Sequence, residues 1–230
     1  MRFGGLQKNS LIDFPGRIAA LLFTQGCNFH CPYCHNPSLI PMAGSQDFSE
    51  EEILLFLEKR QGLIEGVAIT GGEPTLHNDL ISFCRKVKAL GYPVKLDTNG
   101  SRPEMLRRLL SENLVDFIAM DIKTDPENYT PFLSGLSVAE ALVKSIRLIL
   151  ESGLDHEFRS TCVAPFISEE RILRILPLIR GAQRYALQHF SQATLLDSQF
   201  FLEKGRGLNP DEMEKLREVI APHVGCCDIR

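Results

Sequence analysis

Cys27, Cys31 and Cys34 stand with three residues between the first pair and two between the second, inside the run Gly26-Cys27-Asn28-Phe29-His30-Cys31-Pro32-Tyr33-Cys34-His35-Asn36. Three thiolates can hold three corners of a cubic iron–sulfur cluster. No fourth cysteine lies nearby in the sequence, so such a cluster would keep one iron open to an outside ligand. A structural metal site has no use for a vacancy, whereas a catalytic one requires it. The competing reading is zinc, with the ligand set completed by His30 or His35. Structural zinc usually draws on two short ligand pairs well separated in sequence, and no second pair partners this one. Disulfides are the poorest reading, because three crowded cysteines cannot all pair.

Other polar groups stand where apolar runs end. Gly71-Gly72-Glu73-Pro74 follows Val67-Ala68-Ile69-Thr70. Two glycines there would let the backbone approach a ligand closely, and Glu73 could accept hydrogen bonds from a ligand ammonium group. The same four residues also suit a plain glycine turn with a helix-capping glutamate. Asp97-Thr98-Asn99-Gly100 ends the run Val94-Lys95-Leu96 and has a similar ambiguity, since Asn-Gly often makes a hairpin turn. Asp121 and Lys123 close a strongly apolar segment, either as a surface cap or as part of a pocket. Arg159, inside a strand pattern, needs a solvent-facing side or an anionic partner.

These groups must be positioned by alternating strands and helices. Ile18-Ala19-Ala20-Leu21-Leu22-Phe23 reads as a buried strand leading straight into the cysteine loop. Ser49 and Glu52 have capping-box spacing, and Ile53, Leu54, Phe56 and Leu57 give the helix behind them an apolar face. Further strands are expected over 67–70, 94–96, 114–122, 157–164 and 185–188, with a final one over 224–229. Helices are expected over 78–90, from Pro103, over 138–150, from Ser168 and over 210–220. Repeated strand–helix units imply a parallel sheet with right-handed crossovers. About six units cannot complete an eight-stranded barrel, so the expectation is an α/β fold of partial, open (β/α)6 type, with a flat doubly wound sheet as the alternative. Either way, active residues belong at the carboxyl ends of the strands, where each polar motif falls.

Composition narrows the class. A chain of 230 residues fits one domain, and 44% hydrophobic with 23% charged residues is ordinary for a globular protein. No apolar run suggests a membrane span or a secretory leader. Seven cysteines, an odd number with three crowded together, fit a reducing, cytoplasmic compartment. A net charge of −4 argues against nucleic acid as a partner, and Arg102, Arg107 and Arg108 read as a solvated helix face. Cys84 and Cys162 read as buried small hydrophobes. Cys226-Cys227 is weak evidence for a second metal site, and His77, His156 and His223 read as structural.

Together, the Cys-x3-Cys-x2-Cys loop, the Gly-Gly-Glu-Pro turn and the later polar strand ends resemble the radical S-adenosylmethionine superfamily. Tyr33-Cys34-His35-Asn36, Leu96-Asp97-Thr98-Asn99-Gly100 and Met120-Asp121-Ile122-Lys123 look like the glycyl-radical-enzyme activases. The opening Gly4-Gly5-Leu6-Gln7-Lys8 with Ser10-Leu11-Ile12-Asp13-Phe14-Pro15-Gly16 is similar to the anaerobic ribonucleoside-triphosphate reductase activating proteins. The resemblance runs from residue 4 to about residue 190. It implies a single radical SAM domain over 1–230, with an N-terminal segment 1–16, a partial barrel core 17–190 and a C-terminal extension 191–230.

The resemblance also implies roles. Cys27, Cys31 and Cys34 would ligate one [4Fe–4S] cluster, whose free iron takes the amino and carboxylate groups of S-adenosylmethionine. Tyr33 would lie beside the adenine, through ring or backbone. Gly72 and Glu73 would meet the methionyl ammonium, with Lys123 and Arg159 towards the carboxylate or ribose. His35, Gly71, Thr98, Asn99, Asp121 and, more loosely, His189 complete the cofactor set. Asp97, Thr98 and Asp121 match side-chain ligands of a monovalent cation. The implied chemistry passes one electron to the sulfonium and breaks its carbon–sulfur bond; the 5′-deoxyadenosyl radical then takes a hydrogen from a glycine of a partner enzyme. The implied partners are a glycyl-radical enzyme, such as anaerobic ribonucleoside-triphosphate reductase, and a low-potential donor such as flavodoxin or ferredoxin. Alternatives are a formate-lyase type of partner, a small-molecule enzyme of the deazaguanine-synthase kind, and a non-catalytic iron–sulfur or zinc protein.

Overall fold

The computed structural model describes residues 1–42, 48–133, 138–192 and 195–230. Its strands are β1 (Phe3–Phe14), β2 (Arg17–Thr24), β3 (Gly66–Gly71), β4 (Val94–Thr98), β5 (Phe117–Asp121), β6 (Asp155–Thr161), β7 (Val163–Ala164), β8 (Arg184–Gln188), β9 (Arg206–Gly207) and β10 (Cys226–Ile229). Its helices are α1 (Glu50–Glu58), α2 (Leu80–Ala89), α3 (Pro103–Ser111), α4 (Ala139–Glu151), α5 (Glu169–Ile179), α6 (Ser198–Glu203) and α7 (Pro210–Ile220). The chain forms two compact units. The first holds Met1–Asn28, Ser38–Thr98 and Glu104–Ile118; the second holds Phe29–Pro37, Asn99–Pro103 and Ala119–Arg230. Strand β5 begins in the first and ends in the second.

In the first unit the strand order is β1-β2-β3-β4. The pairs β2–β3 and β3–β4 are parallel. Ala19 to Leu22 of β2 and Val67 to Ile69 of β3 are all buried, the continuous apolar pattern of strands covered on both faces. Ser49 caps α1 with the expected reciprocal bonds to Glu52. Phe3 meets Phe83 of α2 with ring centroids 5.0 Å apart, tying β1 into the core.

In the second unit the order is β6-β8-β10, with both pairs parallel. Phe158 and Tyr185 are fully buried, as are Ile172, Ile175 and Ile179 of α5. The 3-10 turn Thr130–Phe132 places Phe132 against Phe166, with centroids 4.6 Å apart. A small antiparallel ribbon joins β7 to β9.

The α/β, mostly parallel architecture is the expected one. One segment was not expected as a strand, for a physical reason. Residues 3–14, read as a preliminary segment, form a long strand antiparallel to β2, because Pro15-Gly16 turns the chain back on itself. Residues 226–229 form the final strand expected there and pair with β8, extending the sheet of the second unit. The short helix α6, opened by the side chain of Asp197, was not foreseen.

Candidate active site

In the first unit, β2 ends in Thr24 and the cysteine loop opens at Gln25. The neck of that loop is closed by backbone bonds from Gly26 N to Leu39 O (2.7 Å) and from Cys27 N to Ile40 O (3.0 Å). The Gln25 side chain, buried, reinforces the closure by donating to the carbonyls of Ser38 (3.0 Å) and Pro41 (2.7 Å). One primary amide thereby staples the start of the loop to its return.

The Gly-Gly-Glu-Pro turn at the end of β3 braces the same neck. Gly72 N donates to Thr24 O (2.9 Å), and Glu73 N donates to Gly26 O (2.7 Å). A Cβ on Gly72 would lie 2.1 Å from Gly26 O, and Gly71 sits at φ +110 with its Cβ direction 2.4 Å from Thr24 N. Only glycine fits at either position. The close approach these glycines permit is therefore to the protein's own chain, at the base of the cysteine loop.

Glu73 is buried, 1% exposed. Its Oε1 accepts from Thr75 N (3.1 Å), from the Thr75 hydroxyl and from the Thr98 hydroxyl (2.7 Å). The carboxylate thus caps the short turn Pro74–Leu76 and is also anchored to the end of β4. Beside Thr98, Asp97 is paired with the ammonium of Lys95, itself 2% exposed. Sequence reasoning passed over Gln25, Thr75, Lys95 and the role of His77. A buried glutamine or lysine has no signature in one sequence beyond a polar residue inside an apolar run, which Lys95 shows.

The second unit carries the rest of the loop. Cys34 N donates to Cys31 O (2.9 Å), giving the tight turn that two intervening residues allow, and His30 N donates to Phe132 O (2.9 Å). Cys31 is buried and Cys34 half-buried, while His35 is exposed. Tyr33 is buried between Phe132 and Phe166, at centroid distances of 6.1 and 5.9 Å. Its hydroxyl is buried with no hydrogen-bond partner among the described residues. Lys123 holds its ammonium 5.9 Å from the Tyr33 ring centre.

Charge is concentrated around Asp121. Arg159 Nε donates to Asp121 Oδ1 (2.8 Å), and Lys123 Nζ lies 3.4 Å from Oδ2. Arg159 has thus found the anionic partner its place in β6 demands. Burial acts to raise the Asp121 pKa, but Arg159 and then Lys123 hold it down at about 2. For Lys123, burial works against the charge, while Cys31 and Asp121 favour it and hold it well above the usual lysine range. Burial pushes the Cys31 thiol up to about 11, with the Lys123 ammonium opposing that shift. An ammonium beside a buried thiol favours the thiolate, the form in which cysteine binds metal.

Asn99 uses Oδ1 to accept from Ser101 N (2.9 Å), shaping the loop ahead of α3. His189 is exposed, and its backbone N–H donates to Arg230 O (2.6 Å).

These residues fit the expected groups in part. None of the seven cysteines is held in a disulfide. Among the described residues, no three His, Cys, Asp or Glu side chains converge on the spot a single metal ion would fill. A cubic cluster spreads its thiolates around the corners of a cube and does not need that convergence. In the second unit the Tyr33 hydroxyl is a buried polar group without a partner among the described residues, and in the first unit the Glu73 carboxylate is fixed by Thr75 and Thr98; each has the chemistry of a group that receives a polar ligand.

The model of the Radical SAM superfamily matches residues 21–179. The chain belongs to the radical SAM superfamily. Membership implies an enzyme of radical chemistry that uses a [4Fe–4S] cluster and S-adenosylmethionine. Among relatives, a Methanocaldococcus jannaschii protein named for glycyl-radical enzyme activation is 33% identical over 85% of this chain and 82% of its own. The pyruvate formate-lyase-activating enzyme of Clostridium pasteurianum is 32% identical over 56% of this chain and 55% of its own. The 7-carboxy-7-deazaguanine synthase of Thermococcus kodakarensis is 27% identical over 83% of each. Among solved structures, Streptococcus suis SuiB bound to S-adenosylmethionine superposes with a TM-score of 0.65 at 14% identity, covering 90% of this chain and 51% of that one. TYW1 with a lysine-pyruvate adduct gives 0.62 at 14% identity, covering 90% and 74%. At such identity the likeness is one of fold. Among the described residues, no helix is long and apolar enough to cross a membrane.

Proposed function

We propose that this chain is a glycyl-radical-enzyme activase, and that its partner is an anaerobic ribonucleoside-triphosphate reductase. The observation that carries the activase reading is the relative named for glycyl-radical enzyme activation, matched across 85% of this chain at 33% identity. The opening segment, here strand β1, favours the reductase over a formate-lyase type of partner.

When bound, the cluster and S-adenosylmethionine supply the one-electron chemistry that makes an organic radical. Cys27, Cys31 and Cys34 would hold the cluster. The neck made by Gln25, Gly26 and Cys27 fixes where the loop leaves the sheet. The Glu73 carboxylate, held by Thr75 and Thr98, is preset to accept from the methionyl ammonium, and its burial strengthens that bond. Arg159 and Lys123 present cationic groups for the cofactor's carboxylate or ribose, with Asp121 fixing their orientation. Tyr33 offers an apolar face and an unpartnered hydroxyl to the adenosine. Gly71, Gly72, Asn99, His35 and His189 are cofactor positions by resemblance, the last two being exposed side chains. A low-potential flavodoxin or ferredoxin would donate the electron.

The deciding test is anaerobic incubation of the reduced, cluster-loaded chain with S-adenosylmethionine and a glycyl-radical reductase. A glycyl-radical EPR signal on the reductase, accompanied by 5′-deoxyadenosine, supports the proposal. Cofactor cleavage without a radical on any glycyl-radical enzyme, but with turnover of a small-molecule substrate, would favour the deazaguanine-synthase kind.

A further inference from the structure

Lys95 is a buried cation that the chemistry above leaves without a task. It lies in β4 at 2% exposure, two residues before Asp97, so both side chains leave the same face of the strand. Its ammonium contacts Asp97 Oδ1 and lies 5.8 Å over the ring centre of Phe117. A lysine in such a place must be compensated, because a desolvated charge without a partner is strongly unfavourable. Asp97 is its carboxylate, and the Phe117 ring supplies a second favourable field.

The resemblance assigns Asp97, Thr98 and Asp121 to a monovalent cation. The side chains present do not fit that ion. Asp97 already holds an ammonium. Asp121 already holds the Arg159 guanidinium and the Lys123 ammonium. Each carboxylate that would attract the ion therefore carries a cation supplied by the chain, and another positive charge beside it would be repelled.

We propose that Lys95 takes the place of the monovalent cation, so that the protein needs no sodium or potassium ion to hold Asp97 in position. The inference rests on reading the Asp97 loop as part of the cofactor site, but its test does not need the cofactor. The full chain is melted at constant ionic strength in sodium, potassium or N-methyl-D-glucamine chloride, and sodium binding is followed separately by the 23Na NMR linewidth. The wild-type chain is expected to melt at one temperature in all three salts and to leave the sodium line unbroadened. Lys95→Met is expected to melt lower, to regain stability saturably with sodium or potassium but not with N-methyl-D-glucamine, and to broaden the sodium line. Lys95→Met/Asp97→Asn, which removes both charges, is expected to be insensitive to the salt once more. Saturable stabilisation of the wild-type chain by sodium or potassium would overturn the proposal, as would a folded Lys95→Met indifferent to salt. If Lys95→Met fails to fold in every salt, the wild-type comparison alone still decides. A chain that never binds S-adenosylmethionine would count against the functional reading and would leave these melts unchanged.

Discussion

The ring Nε2 of His77 lies 2.8 Å from the main-chain carbonyl oxygen of Gln25, with both residues buried. A carbonyl can only accept, so Nε2 carries the proton. The flanking carbonyls of Thr24 and Gly26 accept from Gly72 N and Glu73 N. Three successive carbonyls at the base of the cysteine loop are thus held by the segment that follows β3. The base of the loop, Gln25 to Cys27, and the Gly-Gly-Glu-Pro turn, separate in sequence, form one braced element of the first unit.

Replacing His77 by Phe removes that donor and leaves the Gln25 carbonyl buried without it, at a cost of about 1–3 kcal/mol. The pH dependence distinguishes this loss from a packing defect. Burial lowers the His77 pKa, so the unfolded chain takes up a proton below about pH 6.5 where the folded chain does not. Wild-type stability should therefore fall as the pH drops through 6, and His77→Phe should show a flatter decline. Urea titrations across that range measure both slopes.

Gly72→Ala should be far more disruptive than its size suggests. The added carbon would stand 2.1 Å from Gly26 O, a backbone atom that cannot swing aside. A loss of about 3 kcal/mol is expected, the upper end of overpacking effects. Gly5→Ala, where the nearest atom is a Phe23 ring carbon at 3.4 Å, should change stability by less than about 1 kcal/mol. Thermal melts of the two variants provide the comparison.

Asp121 was legible in the sequence as a polar strand end, and Arg159 as a cation in need of a partner; what one sequence could not give was that they are each other's partner. Pairing between strands 38 positions apart depends on sheet order and register, which local patterns do not encode. The cysteine loop, the glycine turn and the strand–helix rhythm were legible because each depends on neighbours within a few residues. Strand β1 was missed because its middle, Gln7-Lys8-Asn9, is polar and exposed, as one side of an antiparallel edge strand can be. Gln25 and His77 gave no signal, because their partners are backbone atoms, which every sequence has.

Asp121→Asn tests the charge cluster by acid titration. The native Asp121 carboxyl titrates at about 2, below an unfolded carboxylate near 4. Its contribution to stability is complete above about pH 4 and disappears as the pH falls towards 2. The variant should lack that part of the acid-induced loss, giving a shallower decline between about pH 4 and 2. Denaturant midpoints across this window provide the check.

Tyr33→Phe separates folding from cofactor binding. The hydroxyl is buried without a partner, so deleting it should leave the melting temperature of the cofactor-free chain unchanged or raise it. If the hydroxyl serves S-adenosylmethionine, the same variant should bind that cofactor several-fold more weakly, the worth of one hydrogen bond of about 1 kcal/mol. Anaerobic equilibrium dialysis reads the affinity, and an unchanged value would remove Tyr33 from the cofactor site.

The most direct test of the account is the cluster itself. The chain is reconstituted anaerobically with iron and sulfide, reduced, and mixed with S-adenosylmethionine while its EPR spectrum is recorded and 5′-deoxyadenosine is assayed. The account predicts a reduced-cluster signal that shifts when the cofactor is added, formation of 5′-deoxyadenosine, and loss of both in Cys31→Ala. A chain that takes up zinc stoichiometrically, shows no cluster signal and cleaves no S-adenosylmethionine would contradict it.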